Sequence, residues 1–411
     1  MNIYLYIIVA TLLLEYFLHT LSHFLDLKNL SLVLPIEFKN YYSQEEYVRS
    51  QEYIRENTRF YYLTSAFDII VIMLIIFLGV FNIVDLWIRD LGYSSIHSGL
   101  IFFGILFFAM DIVSTPFSIY HTFVIEEKFG FNKTSPRTFI LDKIKSYILL
   151  MILGGLILSF LLFFFETYGD WAWFYAWGVI SFFLVLIQPL FTLVLAPMFN
   201  TFSPLEDGTL KQRINDYAKK NNFPISRIDV MDGSRRSSKA NAYFSGLGKT
   251  KRIALYDTLI EKHSDDEVVS IIAHEVGHFK GRHNIKGIML GVMQTGLIFF
   301  MLSIFLNNPQ LFSAFGMENL SVYASLIFFM LLYSPIALIL SFISNLISRK
   351  HEFEADAFAR DTIGTGKHLI KGLKKLTVTN LGNLTPHFLT VWISYSHPPV
   401  LERIHALKDS E

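Results

Sequence analysis

Seven stretches of this chain stay apolar for long enough to cross about 30 Å of hydrocarbon. They lie near Ile3 to Leu25, Tyr62 to Ile88, Leu100 to Val124, Tyr147 to Phe165, Trp171 to Leu195, Ile285 to Leu306 and Val322 to Ile347. Runs of this length read as membrane helices, because a helix satisfies its own backbone groups where no water can. The first run has no Lys or Arg before it and no small-residue cleavage site after it, so it reads as a retained helix and not as a signal peptide. Between the fifth and sixth runs the pattern changes. Residues 199–284 are charged and carry turn signals at Ser203-Pro204 and Asp207-Gly208. A helix is expected near Leu210 to Asn221, and short extended pieces at Arg227 to Met231, Asn241 to Phe244 and Arg252 to Tyr256. The chain therefore divides into spans one to five with their loops (1–198), a small α+β insert (199–284), spans six and seven (285–347) and a C-terminal region (348–411).

Composition agrees with the bilayer as solvent: 52% of the residues are apolar, 16% aromatic and only 17% charged. The formal charge is zero, which gives no reason to expect a nucleic-acid partner. The basic residues are unevenly spread. Of the 35 Lys and Arg, 33 fall in residues 26–60, 127–145, 199–284 and 348–411, and none in 166–170 or 307–321. Basic loops resist translocation, so the N-terminus should lie outside, with the insert and the tail sharing the cytoplasmic face. Asp68, Asp111, Ser114 and Thr115 fall inside spans, where contact with lipid is costly; they should bond from helix to helix or face an interior cavity. His19 and His23, one turn apart in the first span, have no carboxylate accompanying them in the way catalysis would need and read as packing residues. With no cysteine in the chain, only His, Asp and Glu remain as metal ligands.

The chemistry sits at the end of the insert. Ser264-Asp265-Asp266-Glu267 is a capping box that opens a helix. Its body contains His274-Glu275-Val276-Gly277-His278, in which two histidines one turn apart project from one face at a spacing suited to a single Zn²⁺. Glu275, beside the first of them, is placed to accept a proton from an attacking water and pass it to the leaving amine of a peptide. A catalytic zinc takes three protein ligands and keeps one position open. The candidate for the third is Glu352, just beyond the seventh span, with His351 and His283 as substitutes. Asp356, one turn past Glu352, could accept the free N–H of a ligating histidine. One zinc per chain and a peptide or protein substrate are the expectation.

Several ordered stretches together resemble the CAAX prenyl protease 1 family, membrane metalloproteases that process prenylated a-factor in yeast and prelamin A in animals. They are Thr122 to Lys128 with Gly130-Phe131-Asn132, Leu195 to Phe199 through Phe202 to Leu205, Asp232-Gly233-Ser234 through Asn241 to Phe244, His274 to His278, Glu352 to Phe358 and His397-Pro398-Pro399. The resemblance implies an all-α membrane protein whose seven transmembrane helices form a barrel around a large water-filled chamber, with the α+β zinc-protease insert closing its cytoplasmic end. It also implies Glu352 as third ligand, and His397 and Arg403 near the site to stabilise an oxyanion or orient substrate. Asn241, Ala242 and Tyr243 would offer a strand edge on which an extended substrate pairs.

These expectations describe a membrane zinc endopeptidase for prenylated CAAX tails or other membrane-associated proteins. A quality-control protease without prenyl dependence and a transporter or scaffold with a structural zinc are the alternatives. A di-iron oxidase would need more clustered histidines than the chain has. The tail lacks a dilysine-type retrieval signal, which favours a prokaryotic inner membrane over the endoplasmic reticulum.

Overall fold

The computed structural model describes residues 2–31, 33–223, 225–245 and 252–408. Among these, seven helices are long and apolar enough to span a bilayer: Ile3–Asn29, Gln44–Phe77, Ser95–Glu126, Pro136–Thr167, Gly169–Phe199, His283–Phe305 and Val322–Ile363. Each neighbours the next and the seventh returns to the first, so the ring is closed. Buried apolar side chains gather at its two ends. One cluster joins Ile8, Phe81, Phe102, Leu162, Phe315, Tyr323 and Phe328; the other joins Phe38, Tyr47, Phe131, Ile214, Leu255, Val276 and Ile404. Between them only 6% to 22% of each apolar window is buried. A filled bundle would bury a stripe along every helix, so the ring is a barrel with a hollow middle.

Two helices overshoot the membrane. The seventh is 42 residues long. At about 1.5 Å of rise per residue it extends for about 63 Å, twice the hydrocarbon thickness. Its C-terminal part therefore enters the soluble domain with Glu352, Ala355 and Asp356 buried. The second begins with a capping box at Ser43 and Glu46, well before its apolar run. It stops sooner than the apolar pattern suggests. Gly79, at φ 64°, takes the left-handed conformation and starts a separate helix, Val80–Asp90, instead of a span running to Ile88. That short helix lies at the end of the ring opposite the soluble domain, where buried Asp85 accepts from Tyr323 and pairs with Arg89 at 2.7 Å.

Polar groups within the spans bond to one another. Asp111 pairs with Lys143 at 2.6 Å and accepts from Tyr147, joining spans three and four, and Thr115 bonds back to the Asp111 carbonyl at 2.6 Å. Ser114 does the same at 3.2 Å. Asp68 is exposed. His23 packs on Tyr61 with ring centroids 4.2 Å apart.

The insert forms a four-stranded sheet in the order β1-β2-β4-β3, with β1 Phe202–Pro204, β2 Arg227–Met231, β3 Ala242–Ser245 and β4 Arg252–Tyr256. β2 and β4 run parallel; the two outer strands are antiparallel to their neighbours. The residue pattern predicts a turn at Ser203-Pro204, whereas the structure has β1 there. It is an edge strand of three residues, which is where a strand tolerates a proline such as Pro204. Arg236 fixes the sheet to the membrane helices through both oxygens of Asp142, at 2.8 and 3.0 Å, and Lys239 does so through Glu126 at 2.8 Å. The insert, the tail and the loops near Phe38 and Phe131 share one core, so all these soluble parts sit at one end of the barrel.

Candidate metal centre

The helix Asp265–Lys280 begins where the capping box places it, with the Ser264 hydroxyl accepting from the Glu267 amide and the Glu267 carboxylate from the Ser264 amide. Its first turn is tied to the tail helix Lys367–Thr379 by Lys375, 2.7 Å from Glu267. It packs along the end of the seventh span. Gly277 makes this contact possible: a Cβ there would lie 2.9 Å from both the Cα and the carbonyl oxygen of Ala355, and 3.2 Å from its Cβ.

That approach sets Glu352 opposite the two motif histidines. The Nε2 atoms of His274 and His278 are 3.1 Å apart. Glu352 Oε1 is 3.1 Å from His278 Nε2, and Oε2 is 3.5 Å from His274 Nε2. Two ligands about 2.1 Å from one ion at the tetrahedral angle are about 3.4 Å apart, so the donor set fits a small divalent cation. Glu352 Oε2 is buried without a hydrogen bond. Burial opposes a charged His274 ring, yet the Asp356 and Glu352 carboxylates outweigh it and lift the ring to about 9 from an ordinary 6.5. A metal answers the same demand for positive charge.

The other ring nitrogens are engaged. His274 Nδ1 lies 2.8 Å from Asp356 Oδ1, and His278 Nδ1 lies 3.0 Å from His283 Nδ1. His283 thus sits behind His278, not in the ligand group, and its Nε2 is 3.0 Å from Glu354. Arg403 is buried. Its Nε and Nη2 donate to the two oxygens of Asp356 at 2.8 and 2.7 Å, and its Nη1 approaches Glu352 Oε2 at 3.2 Å. His397 is exposed at the mouth, with Nε2 3.4 Å from Glu352 Oε1.

His274, His278, Glu352, His397 and Arg403 border a cavity of about 360 Å³ that also receives Glu275, Asn241 and Ala242. Glu275 is half-buried and makes no hydrogen bond or ion pair among the described residues. β3 is the edge strand of the sheet on this side; its backbone includes Tyr243, paired with Ala254, while the Tyr243 side chain lies outside the described residues. Asn380 clamps the entry to β3, donating to the Ala240 carbonyl at 3.3 Å and accepting from its amide at 3.1 Å. Asn284, Leu259, Ile271 and the tail leucines Leu369, Leu373 and Leu376 complete the cavity wall. The amphipathic spacing of those leucines is visible in the sequence, but not the side on which they dock.

Known proteins carry the same pattern. Residues 204–411 match peptidase family M48, and residues 23–201 match the CAAX prenyl protease N-terminal region with its five membrane helices. The chain belongs to peptidase family M48. The CAAX prenyl protease 1 homolog of Oryza sativa is 36% identical over 92% of this chain and 91% of its own length. The human homolog is 32% identical over 91% and 88%. The crystal structure of S. mikatae Ste24p covers 99% of each chain at 30% identity with a TM-score of 0.91. The chain is accordingly a multi-pass membrane metalloendopeptidase resembling CAAX prenyl protease 1, and its His-His-Glu group can hold the metal the family implies.

Proposed function

We propose that this protein hydrolyses peptide bonds in membrane-associated substrates, prenylated CAAX tails among them, with one Zn²⁺ held by His274, His278 and Glu352. The observation that carries the reading is that three ligand atoms, an unpaired carboxylate and a strand edge border one cavity. A divalent ion bound there supplies a Lewis acid that polarises a carbonyl and acidifies water. Glu275 is the general base, taking a proton from the attacking water and delivering it to the leaving amine. The edge of β3 at Asn241 and Ala242 holds an extended substrate by backbone pairing, with Tyr243 continuing that edge. Asp356 fixes the ring of His274, and Arg403 works through Asp356 and Glu352 as a positioning residue. His397, exposed at the cavity mouth, is the group that meets an oxyanion.

The basic loops put the N-terminus outside and the site in the cytoplasm. The relatives come from plants, animals and yeast, which fits the endoplasmic reticulum better than the prokaryotic inner membrane suggested by the tail. Their names supply the prenylated substrate class.

The test uses purified protein with a farnesylated CAAX peptide and its unprenylated twin. Wild type should cleave the farnesylated peptide and stop on chelation, whereas Glu275→Gln should keep its zinc and lose about 10²- to 10⁴-fold in rate. Undiminished cleavage by Glu275→Gln sinks the mechanism; equal cleavage of both peptides removes the prenyl preference.

A further inference from the structure

The strand edge that borders the metal cavity is held from the membrane side as well as from the tail. In β3 the Asn241 carbonyl accepts from the Tyr256 amide at 3.2 Å, and Tyr243 and Ser245 lie opposite Ala254 and Arg252. Alternate residues of an antiparallel strand bond to alternate sides, so Ala242 turns its own N–H and C=O to the free edge. At rest that amide is covered by the Asn241 side chain, whose Oδ1 accepts from it at 2.8 Å. The direction in which Ala242 faces the cavity is set by the residues that lead into β3.

Those residues are fastened one after another. The Arg236 carbonyl accepts from the Lys133 amide at 3.0 Å, and the Ser238 amide donates to the Phe131 carbonyl at 3.1 Å. Lys239 follows, tied at both ends. Its carbonyl accepts from the Thr258 hydroxyl at 2.9 Å. Its ammonium reaches two membrane helices, donating to Glu126 Oε2 of the third span at 2.8 Å and to the Tyr53 hydroxyl of the second at 3.0 Å. Tyr53 in turn donates to Glu126 Oε1. The Phe131 ring lies against the same ammonium, 4.4 Å away at its centroid. Two oxygen acceptors and an aromatic face leave the cation one position to occupy. Glu126 ends the π-helical turn His121–Glu126 that closes the third span. Such turns often occur at functional sites, and this one carries the carboxylate that Lys239 meets. Only Ala240 and Asn241 separate Lys239 from Ala242. Asn380 holds that short link from the tail and Lys239 holds it from the barrel, so losing either hold lets the edge turn.

We propose that Lys239 and Glu126 are positioning residues for substrate: their ion pair fixes the free edge of β3 against the barrel, so that an extended peptide pairs in one register over the metal. The effect on substrate rests on β3 being the edge that a peptide joins; the fastening of the strand does not.

The experiment compares full-length, zinc-loaded wild type with Lys239→Met, Glu126→Gln, the double variant and Lys239→Arg. Lys239→Met keeps an unbranched side chain against Phe131 and removes the charge. It should raise KM for the farnesylated peptide about fivefold or more while kcat stays within about twofold. Glu126→Gln should do the same, and the double variant should be no worse than either, because each breaks the same pair. Lys239→Arg, which keeps the charge-assisted bond, should stay within about twofold of wild type in KM. Hydrogen exchange reads the fastening without turnover: the amides of residues 242–245 should exchange about tenfold faster in Lys239→Met. Wild-type KM in Lys239→Met overturns the proposal, as do unchanged exchange and losses that add in the double variant. A fall in kcat and zinc content with KM held also overturns it, making the pair a structural brace. Faster exchange in proteins that cleave nothing upholds the fastening and sinks the proteolytic reading instead.

Discussion

Replacing Gly277 with alanine should weaken the protein's hold on its metal without removing any ligand. A Cβ at this position lies 2.9 Å from two backbone atoms of Ala355, the Cα and the carbonyl oxygen, and neither can rotate away. Ordinary carbon contacts begin at about 3.5 Å, so the motif helix and the end of the seventh span must separate by about half an ångström or more. Glu352 is on that same stretch of span, one turn before Ala355, and moves with it. A metal site tolerates about 0.2 Å in its ligand distances, so the displacement exceeds the tolerance more than twofold. Loss of affinity should be on the order of 10- to 100-fold, the range seen when ligand support is removed. The assay is zinc dissociation measured against a competing chelator, with helix content recorded to show that the barrel is intact. Excess zinc should restore part of the cleavage. Wild-type zinc affinity in Gly277→Ala would refute the claim that this close approach sets the position of Glu352.

Asp356→Asn should weaken zinc binding by about 10- to 100-fold, because both His274 Nδ1 and Arg403 lose the carboxylate that holds them; competition with a chelator measures it. Asn380→Ala, which frees the start of β3 from the tail, should raise KM for peptide severalfold with little change in kcat, read from steady-state cleavage. In metal-free protein the His274 pKa is raised, from an ordinary 6.5 to about 9. Its contribution to stability is therefore complete below about pH 6.5 and lost as pH rises through about 9. Melting temperatures of the chelated protein should fall across that window, and saturating zinc should abolish the fall.

Much of this is legible in the residue pattern because the signals are local. Long apolar runs announce spans, Ser264 and Glu267 announce the start of a helix, and four-residue spacing aligns His274 with His278. Glu352 can be nominated because a helix leaving the membrane must deliver its next turns to the soluble face. Features that depend on distant contacts are hidden. The break at Gly79 arises where Phe81, Asp85 and Ile88 find partners at the end of the ring opposite the soluble domain, a gain that no window of sequence contains. β1 exists because β2 offers it an edge. Gly277 reads as an ordinary helix glycine until Ala355 lies against it, and His283 as a spare ligand until its Nδ1 is found against that of His278.

The most direct measurement is zinc-edge X-ray absorption on the purified protein carrying one equivalent of metal. Two imidazole nitrogens, one carboxylate and one exchangeable solvent oxygen, all at about 2.0–2.2 Å, are what a hydrolytic site held by His274, His278 and Glu352 requires. Four protein ligands around the ion, with no position open to solvent, would contradict it and make the metal a structural clamp.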